Sequence, residues 1–200
     1  MSDKGKQEIQ DLIRAYREGD SHALNELIER HTRLVYSFSY RLIGSAEGAQ
    51  DVTQETFIKA WKNLKRYDEK QSFATWILSI ARNTSIDWLR KKKSLVFSDM
   101  ERDDAEDTRD SFEQRIPDEL PLPHEVFEMN ELGDTLDDAL KQISLDRRTI
   151  ILLRHREGLA FEEIAAIVGK PLNTVKSQYR RALKTLRDYL TERQKHYEPK

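Results

Sequence analysis

A cationic stretch near the carboxyl end of the chain offers the most specific chemistry in this sequence. From Lys170 to Arg187 there are six basic residues and no acidic one. Guanidinium and ammonium groups in such a run bind phosphates, and arginine also reads base edges through paired hydrogen bonds. At helical spacing one face carries the polar residues Asn173, Ser177, Arg180, Arg181 and Lys184. This face predicts recognition of nucleic acid.

Two helices joined by a tight turn are needed to present that face. The first helix is indicated by apolar residues at helical spacing, namely Phe161, Ile164, Ala165 and Val168. Gly169 then follows as a C′ glycine, Pro171 prevents continuation, and Asn173 is expected to be the N-cap of the second helix. The second helix has an apolar stripe comprising Val175, Tyr179, Ala182, Leu183 and Leu186. The pattern predicts a helix-turn-helix that fits the DNA major groove, and an amphipathic hairpin with a solvated basic face is the alternative.

A second candidate surface lies on a helix predicted over residues 49–64. Its core face is expected to comprise Phe57, Ala60, Trp61 and Leu64. A separate stripe at helical spacing comprises Asp51, Gln54, Glu55, Ile58 and Lys62. An isoleucine inside a polar stripe suits the docking of a partner helix, although a single exposed isoleucine is also ordinary on a protein surface.

A third candidate surface lies on a helix predicted over residues 73–93. The core side is expected to hold Ile77, Ala81, Thr84, Trp88 and Leu89, and the far side Trp76, Ser79, Asn83 and Arg90. The helix ends in the basic run Arg90, Lys91, Lys92 and Lys93. An aromatic ring, a hydroxyl and an amide beside cations suit an unstacked base and its phosphates. The alternative is a partly buried tryptophan followed by a solvated lysine run.

The composition excludes several classes of function. The 200 residues include no cysteine, which rules out disulfides, thiolate metal sites and cysteine catalysis. The five histidines are scattered and no glycine-rich phosphate loop occurs, so we expect no enzyme, no metal and no cofactor. There is neither a signal-peptide pattern nor an apolar run long enough to span a bilayer, and we therefore expect a cytoplasmic protein without membrane insertion.

The distribution of charge along the chain divides it into parts. The net charge of −2 combines about +4 over residues 1–93, −8 over 94–125 and +2 over 126–200. Helical spacing over 7–17, 21–43, 49–64 and 73–93, and again over about 125–190, predicts an all-α protein. The acidic middle is poor in apolar residues, which favours a flexible linker. We expect one helical domain over 1–93, an acidic linker over 94–124, a second helical domain over 125–193 and a polar tail over 194–200.

Three motifs in order carry a family resemblance. They are AQDVTQETFIKAW, then SFATWILSIARNTSIDWLRKKK, then LAFEEIAAIVGKPLNTVKSQYRRALKTLR. Together they resemble regions 2.2, 2.3–2.4 and 4.2 of the extracytoplasmic-function (ECF, group IV) bacterial sigma factors. The resemblance covers residues ~10–93 and ~130–190. It implies a region 2 helical bundle and a region 4 helix-turn-helix on either side of the acidic linker.

The resemblance also implies partners. Members of the family bind core RNA polymerase at its β′ clamp helices and β flap, recognise the minus-35 element as duplex and melt the minus-10 element. An anti-sigma factor is a further expected partner. The residues that match the polymerase-docking motif are Asp51, Gln54, Glu55, Phe57, Ile58 and Trp61, with Phe57 and Trp61 supporting the others from the core.

The resemblance assigns promoter contacts in the same way. Asn83 matches the asparagine that lines the pocket for a flipped minus-10 base, and the loop from Tyr67 to Ser72 matches the loop over that pocket. The neighbourhood of the minus-10 pocket would include Trp76, Ser79, Arg90, Lys91 and Lys92. The minus-35 element would meet Asn173, Thr174, Lys176, Ser177, Arg180, Arg181 and Lys184.

Three positions depart from the family pattern. Ser144 stands where a Leu-Pro pair is usual and is expected to cap the following helix, and Ala160 stands where a serine often caps the first helix of the turn. Asn173 stands where Gly or Ser is common, which changes the set of bases read there. The remaining rival is a helix-turn-helix regulator that binds duplex DNA, usually as a dimer, without being a polymerase subunit.

Overall fold

The computed structural model describes residues 3–99 and 138–195, and within these ranges it is all-α without any strand. This confirms the predicted fold class. The helices are α1 (Asp3–Arg17), α2 (Ser21–Ile43), α3 (Ala46–Asn63), α4 (Phe73–Asp99), α5 (Leu145–His155), α6 (Phe161–Val168) and α7 (Leu172–Lys195). A short 3₁₀ turn, Leu64–Arg66, follows α3. Helices α1–α4 form the first bundle and α5–α7 the second.

Local capping explains where the helices of the first bundle begin and end. The Asp20 side chain accepts a hydrogen bond from the His22 amide at 2.8 Å and caps α2. Gly44 ends α2 with φ 75°, a left-handed conformation that favours glycine. Ser45 then caps α3, which begins three residues earlier than the sequence predicts. Ser72 holds the start of α4 by accepting from the Thr75 amide at 3.0 Å.

Two of the helix boundaries that differ from the prediction bear on the linker and on the basic helix. Helix α4 runs on to Asp99 rather than ending at Lys93, because the segment SLVFS that follows contains no glycine or proline. The predicted acidic linker therefore starts with helix, and its residues 100–124 lie outside the described ranges. Helix α7 begins at Leu172, and Val175 donates to the Pro171 carbonyl at 3.1 Å. Asn173 lies inside the first turn and is not the N-cap.

Each bundle has a buried apolar core that includes part of the predicted stripes. In the first bundle the fully buried side chains include Phe38, Leu42, Leu64, Ile77 and Leu78. In the second the buried stripe comprises Ile150, Leu153, Ile164, Val175, Ala182 and Leu186. The two bundles pack on each other, α4 against α6 and α2 against α5, so their cores are continuous. Burial of this apolar surface is the main favourable contribution to folding.

A close approach of α3 and α4 requires glycine at position 48. A Cβ placed on Gly48 would lie 2.6 Å from Cζ2 of the Trp88 ring. The ring sits there because its Nε1 donates to Asp51 at 3.4 Å, and the Lys92 ammonium lies 5.1 Å from the ring centroid. The start of α3 is thus positioned by an aromatic side chain of α4.

We expect Gly48→Val to destabilise the protein by about 1–3 kcal/mol, because the new side chain must displace the Trp88 ring. The measurement is thermal or urea unfolding of the full chain. Ala46→Val is the matched control, since Ala46 is exposed on the same helix and its replacement should change stability by no more than about 0.5 kcal/mol. Equal effects of the two substitutions would contradict the packing role assigned to Gly48.

Candidate docking and nucleic-acid interfaces

Helix α3 presents an exposed stripe that combines polar and apolar groups. Its opposite face is buried in the first bundle through Val52, Thr56 and Ala60. We define the docking stripe as Asp51, Gln54, Glu55 and Ile58. Ile58 is 49% exposed, so its side chain is available to a partner. Glu55 is half-buried and pairs with Lys59 at 2.9 Å, which holds its carboxylate along the helix.

The prediction that Trp61 supports this stripe from the core is wrong. Trp61 is 49% exposed, and its Nε1 donates to the hydroxyl of Tyr16 on α1. One turn along α3 from Ile58, it shares that part of the surface. Phe57, by contrast, is half-buried and packs against the core as expected. Ile58 and Trp61 are the two large hydrophobic side chains that are exposed within the described ranges, and together they form an apolar patch.

An aromatic cluster supports the loop before α4. The Tyr67 ring lies 5.1 Å from Trp76 and 5.6 Å from Phe73, and the His31 ring meets Phe73 edge-on at 4.8 Å. Tyr67 is buried and its hydroxyl donates to the Gln71 carbonyl at 2.5 Å. Burial raises the pKa of Tyr67 to about 12, and burial lowers the pKa of His31, so both rings are neutral at pH 7. Tyr67 and Trp76 therefore support the 67–72 loop by packing against each other and by the hydrogen bond to Gln71.

The predicted minus-10 residues are only partly brought together. Tyr67 and Ser72 line a cleft of about 440 Å³, whose opposite wall includes Glu162 and Glu163 of the second bundle. Asn83 lies outside this cleft, about 10 Å further along α4 than Trp76. Its exposed side chain accepts a hydrogen bond from Arg82 at 3.0 Å.

The remaining predicted minus-10 residues differ in their exposure and in whether their polar groups already have partners within the protein. The Ser79 hydroxyl donates to the Trp76 carbonyl at 2.6 Å, so its hydrogen is already used by the helix. Arg90 is exposed and lies 3.6 Å from Asp87. Lys91 and Lys92 are exposed, with Lys92 against Trp88 as described above. Trp88, predicted to be core, is only half-buried because it lies at the edge of the α3–α4 contact.

Helix α7 presents the cationic face that the sequence predicts. Val175, Ala182 and Leu186 are buried against the second bundle, and Tyr179 is held by a 2.8 Å hydrogen bond to His155. The exposed side chains on the other side are Asn173, Ser177, Arg180, Arg181 and Lys184. Within the described ranges none of the cations Arg180, Arg181 and Lys184 forms an ion pair, which leaves all three able to meet phosphates or bases.

Two other residues on α7 are less accessible. Thr174 and Lys176 are half-buried rather than fully exposed. The Ser177 hydroxyl donates to the Thr174 carbonyl at 2.9 Å, so a contact with DNA would have to use its oxygen as acceptor or break this bond.

The turn before α7 forms with the expected geometry. Gly169 ends α6 with φ 65°, and its amide bonds to the Ala165 carbonyl. Ala160 precedes α6 without a side-chain cap, but Glu163 accepts from the Ala160 amide at 2.9 Å and so supplies half of a capping box. Ser144 precedes α5, but the prediction that its side chain caps that helix is wrong, because it forms no capping hydrogen bond.

Sequence reasoning missed a group of polar contacts between the two bundles. Asp146 on α5 accepts from Arg82 of α4 at 3.1 Å and from Lys170 of the turn at 2.5 Å. The hydrogen bond from Lys170, with the charges of both cations, holds the pKa of Asp146 below its usual range. Thr75 donates to Glu163 at 3.3 Å, and Arg148 donates to the Leu42 carbonyl at 3.1 Å. No signal in the sequence indicated these contacts, because they depend on how the two bundles pack.

The described residues contain neither a membrane-spanning helix nor a candidate metal site. No helix there is long and apolar enough to cross a membrane. No group of three or more histidine or acidic side chains in those ranges is placed to hold a metal ion.

Comparison with known proteins places the chain in a family. The Sigma-70 region 2 family matches residues 27–95 and the Sigma-70, region 4 family matches residues 124–186. The ECF RNA polymerase sigma factor SigW of Bacillus subtilis is 30% identical over 92% of this chain and 97% of that protein. The ECF RNA polymerase sigma-E factor of Haemophilus influenzae is 31% identical over 86% of this chain and 90% of that protein.

A solved structure agrees with these matches. The sigma factor RpoE of Bartonella quintana, in complex with the anti-sigma factor NepR, has a TM-score of 0.61 at 25% identity. The match covers 82% of this chain and 92% of that one. With two family regions matched in order and relatives aligned over nearly their whole length, the chain belongs to the ECF RNA polymerase sigma factors.

Proposed function

We propose that this sigma factor docks on core RNA polymerase through the docking stripe and Trp61. The observation that carries the proposal is the patch formed by Ile58 and Trp61, both 49% exposed inside a polar helix face. Binding of duplex DNA requires only the cationic face of α7, so this apolar patch is left for a contact with protein. We infer that this surface contacts the β′ clamp helices and that the second bundle makes a separate contact with the β flap.

The second part of the proposal concerns the minus-35 element. Helix α7 enters the major groove with its cationic face, and its buried side keeps it on the second bundle. Arg180 and Arg181 contact bases or phosphates, and Lys184 contacts phosphate. Asn173, Thr174, Lys176 and Ser177 lie at the end of α7 that enters the groove first.

The third part concerns promoter melting. The amide of Asn83 reads the edge of a base only after that base has left the stack. Unstacking costs a few kcal/mol, and capture beside Trp76 and the 67–72 loop offsets this cost. Arg90, Lys91 and Lys92 hold the adjacent backbone. The protein thus favours open over closed DNA by binding the open form more tightly, without ATP and without catalysis of its own.

Partners and location follow from the family. We infer that an anti-sigma factor controls this chain, since the structurally similar RpoE is seen in complex with NepR. We also infer that it acts in the cytoplasm, where bacterial RNA polymerase transcribes.

The test is run-off transcription with purified bacterial core polymerase on a pooled promoter library. Transcripts that require the chain and come from templates sharing two spaced elements would support the proposal. Failure to transcribe, together with a shift of duplex DNA by the chain alone, would instead indicate the helix-turn-helix regulator.

We expect Arg181→Ala to weaken use of the minus-35 element by about tenfold, because each good base contact is worth about 1–3 kcal/mol. The measurement is run-off transcription from promoters with intact and scrambled minus-35 elements. Arg187→Ala is the matched control, since it removes an exposed cation further along α7 that the proposal does not use. An unchanged ranking of promoters by the Arg181 variant would contradict base reading there.

A further inference from the structure

The contacts between the two bundles lie beside residues that promoter DNA would use. Arg82, which bonds to Asp146, is the neighbour of Asn83 and also donates to its amide oxygen. Glu163 meets Thr75 at the start of α4, and with Glu162 it lines the cleft under the 67–72 loop. Asp146 and Glu163 thus accept hydrogen bonds from Arg82 and Thr75, which neighbour the predicted minus-10 residues Asn83 and Ser72.

We propose that the second bundle is a lid over the 67–72 loop at the edge of the minus-10 surface, held closed by the apolar packing between the bundles together with the carboxylates of Asp146 and Glu163. This inference rests on the proposed function, because it concerns access to the same promoter-binding surface. We call these two residues the carboxylate latch. They take up the donors of Arg82 and Thr75 at the edge of this surface.

The hydrogen bonds around the latch join the two bundles and can form only while the bundles are in contact. The Arg82 side chain is only 12% exposed, and its Nε is buried without a hydrogen-bond partner among the described residues. Thr75 is buried and bonded to Ser72 at 2.7 Å as well as to Glu163, so the cap of α4 is tied to the start of α6. The bond from Arg148 to the Leu42 carbonyl fastens α5 to the end of α2.

The closed arrangement is incompatible with binding a promoter. Arg82, beside the minus-10 residue Asn83, and Lys170, at the turn that leads into α7, share the single carboxylate of Asp146. The two promoter elements are numbered about 25 base pairs apart, or roughly 85 Å along straight duplex DNA. The chain between Asp99 and Asp138 reaches at most about 130 Å when fully extended, so the two bundles can separate far enough. Promoter engagement therefore requires the latch to open.

The inference can be tested by measuring the distance between the bundles in the full-length protein. Because the chain has no cysteine, Glu29→Cys on α2 and Asp188→Cys on α7 introduce unique sites for a donor and an acceptor dye. We expect single-molecule energy transfer to show mainly one short distance in the free protein. Asp146→Asn combined with Glu163→Gln should raise the population at longer distances about three- to tenfold, since the latch pairs are partly exposed and only moderately strong.

Glu192→Gln is the matched control, because it removes one exposed carboxylate of the second bundle that touches neither α4 nor the turn. It should leave the distance distribution unchanged. If the latch variant unfolds, the dye-labelled protein with Asp146 and Glu163 intact can be measured at about 50 mM and about 500 mM NaCl instead. The higher salt concentration screens the same ion pairs and should also raise the population at longer distances. A distribution that does not respond, or a free protein that is already mainly extended, would overturn the inference.

The test separates this inference from the proposed function. Run-off transcription by the latch variant should persist, because neither Asp146 nor Glu163 is assigned a contact with polymerase or DNA. If distances respond as expected but no chain-dependent transcript forms, the proposed function fails and the latch stands. If transcripts form but the distances do not respond, the latch fails and the proposed function stands.

Discussion

Ile58→Glu should reduce the affinity for core RNA polymerase by at least about 30-fold, equivalent to about 2 kcal/mol. The substitution places a charge at the centre of the patch that we expect to be buried on docking. Leaving that charge without a partner costs more than losing the isoleucine contacts alone. The measurement is a binding titration of the labelled full chain against core polymerase, accompanied by thermal unfolding. Because Ile58 is 49% exposed in the free protein, unfolding should be nearly unaffected.

Asn25→Glu provides the matched control for this prediction. Asn25 is an exposed neutral residue on α2, and its replacement adds the same charge to the first bundle on a different helix from the docking stripe. It should change the affinity by less than about twofold, as is usual for an isolated surface substitution. A similar affinity of the Ile58 variant and the control for polymerase would show that Ile58 of α3 is not part of the interface.

Asn83→Ala should lower the rate of open-complex formation by about ten- to a hundredfold while leaving polymerase binding within about twofold. The amide is assigned to the flipped base, and a lost base-edge contact costs about 1–3 kcal/mol. Polymerase docking uses a different helix and should not sense the change. Permanganate reactivity of unpaired thymines follows melting, and the same binding titration follows docking.

The Asn83 prediction needs a control for the neighbouring arginine. Removing the Asn83 amide also removes the 3.0 Å hydrogen bond that its oxygen accepts from Arg82. Asn83→Asp keeps an acceptor for Arg82 but cannot present amide donors to a base, so it should show the same melting defect. Equal losses of melting and polymerase binding would argue that Asn83 has a structural role.

Features with a local cause could be predicted from the sequence. The limits of α2 followed from Asp20 and Gly44, since a capping side chain and a left-handed glycine act within one turn. The cationic face of α7 was predictable because charge and apolar spacing separate cleanly along a single helix. Asn173 was misjudged because α7 begins at Leu172, two residues before the start that a cap at Asn173 implies.

Features set by packing between elements could not be predicted. Trp61 has the spacing of a core residue, yet Tyr16 of α1 binds its indole at the surface. Whether α1 or solvent covers that side of α3 depends on how the helices meet, which periodicity does not encode. Similarly, nothing local to Arg82 or Asp146 indicates that a helix of the second bundle would approach α4.

The length of α4 has a mechanical consequence. Its 27 residues make a single rod about 40 Å long that carries Trp76 and Asn83 near its start and Trp88 beyond them. Trp88 holds the start of α3, where Asp51 begins the docking stripe. If polymerase binds the docking stripe as proposed, a change in the orientation of α3 is passed through Trp88 and the rigid helix α4 to Asn83. A small rotation of the polymerase clamp would then aim the amide of Asn83 toward or away from the DNA strand.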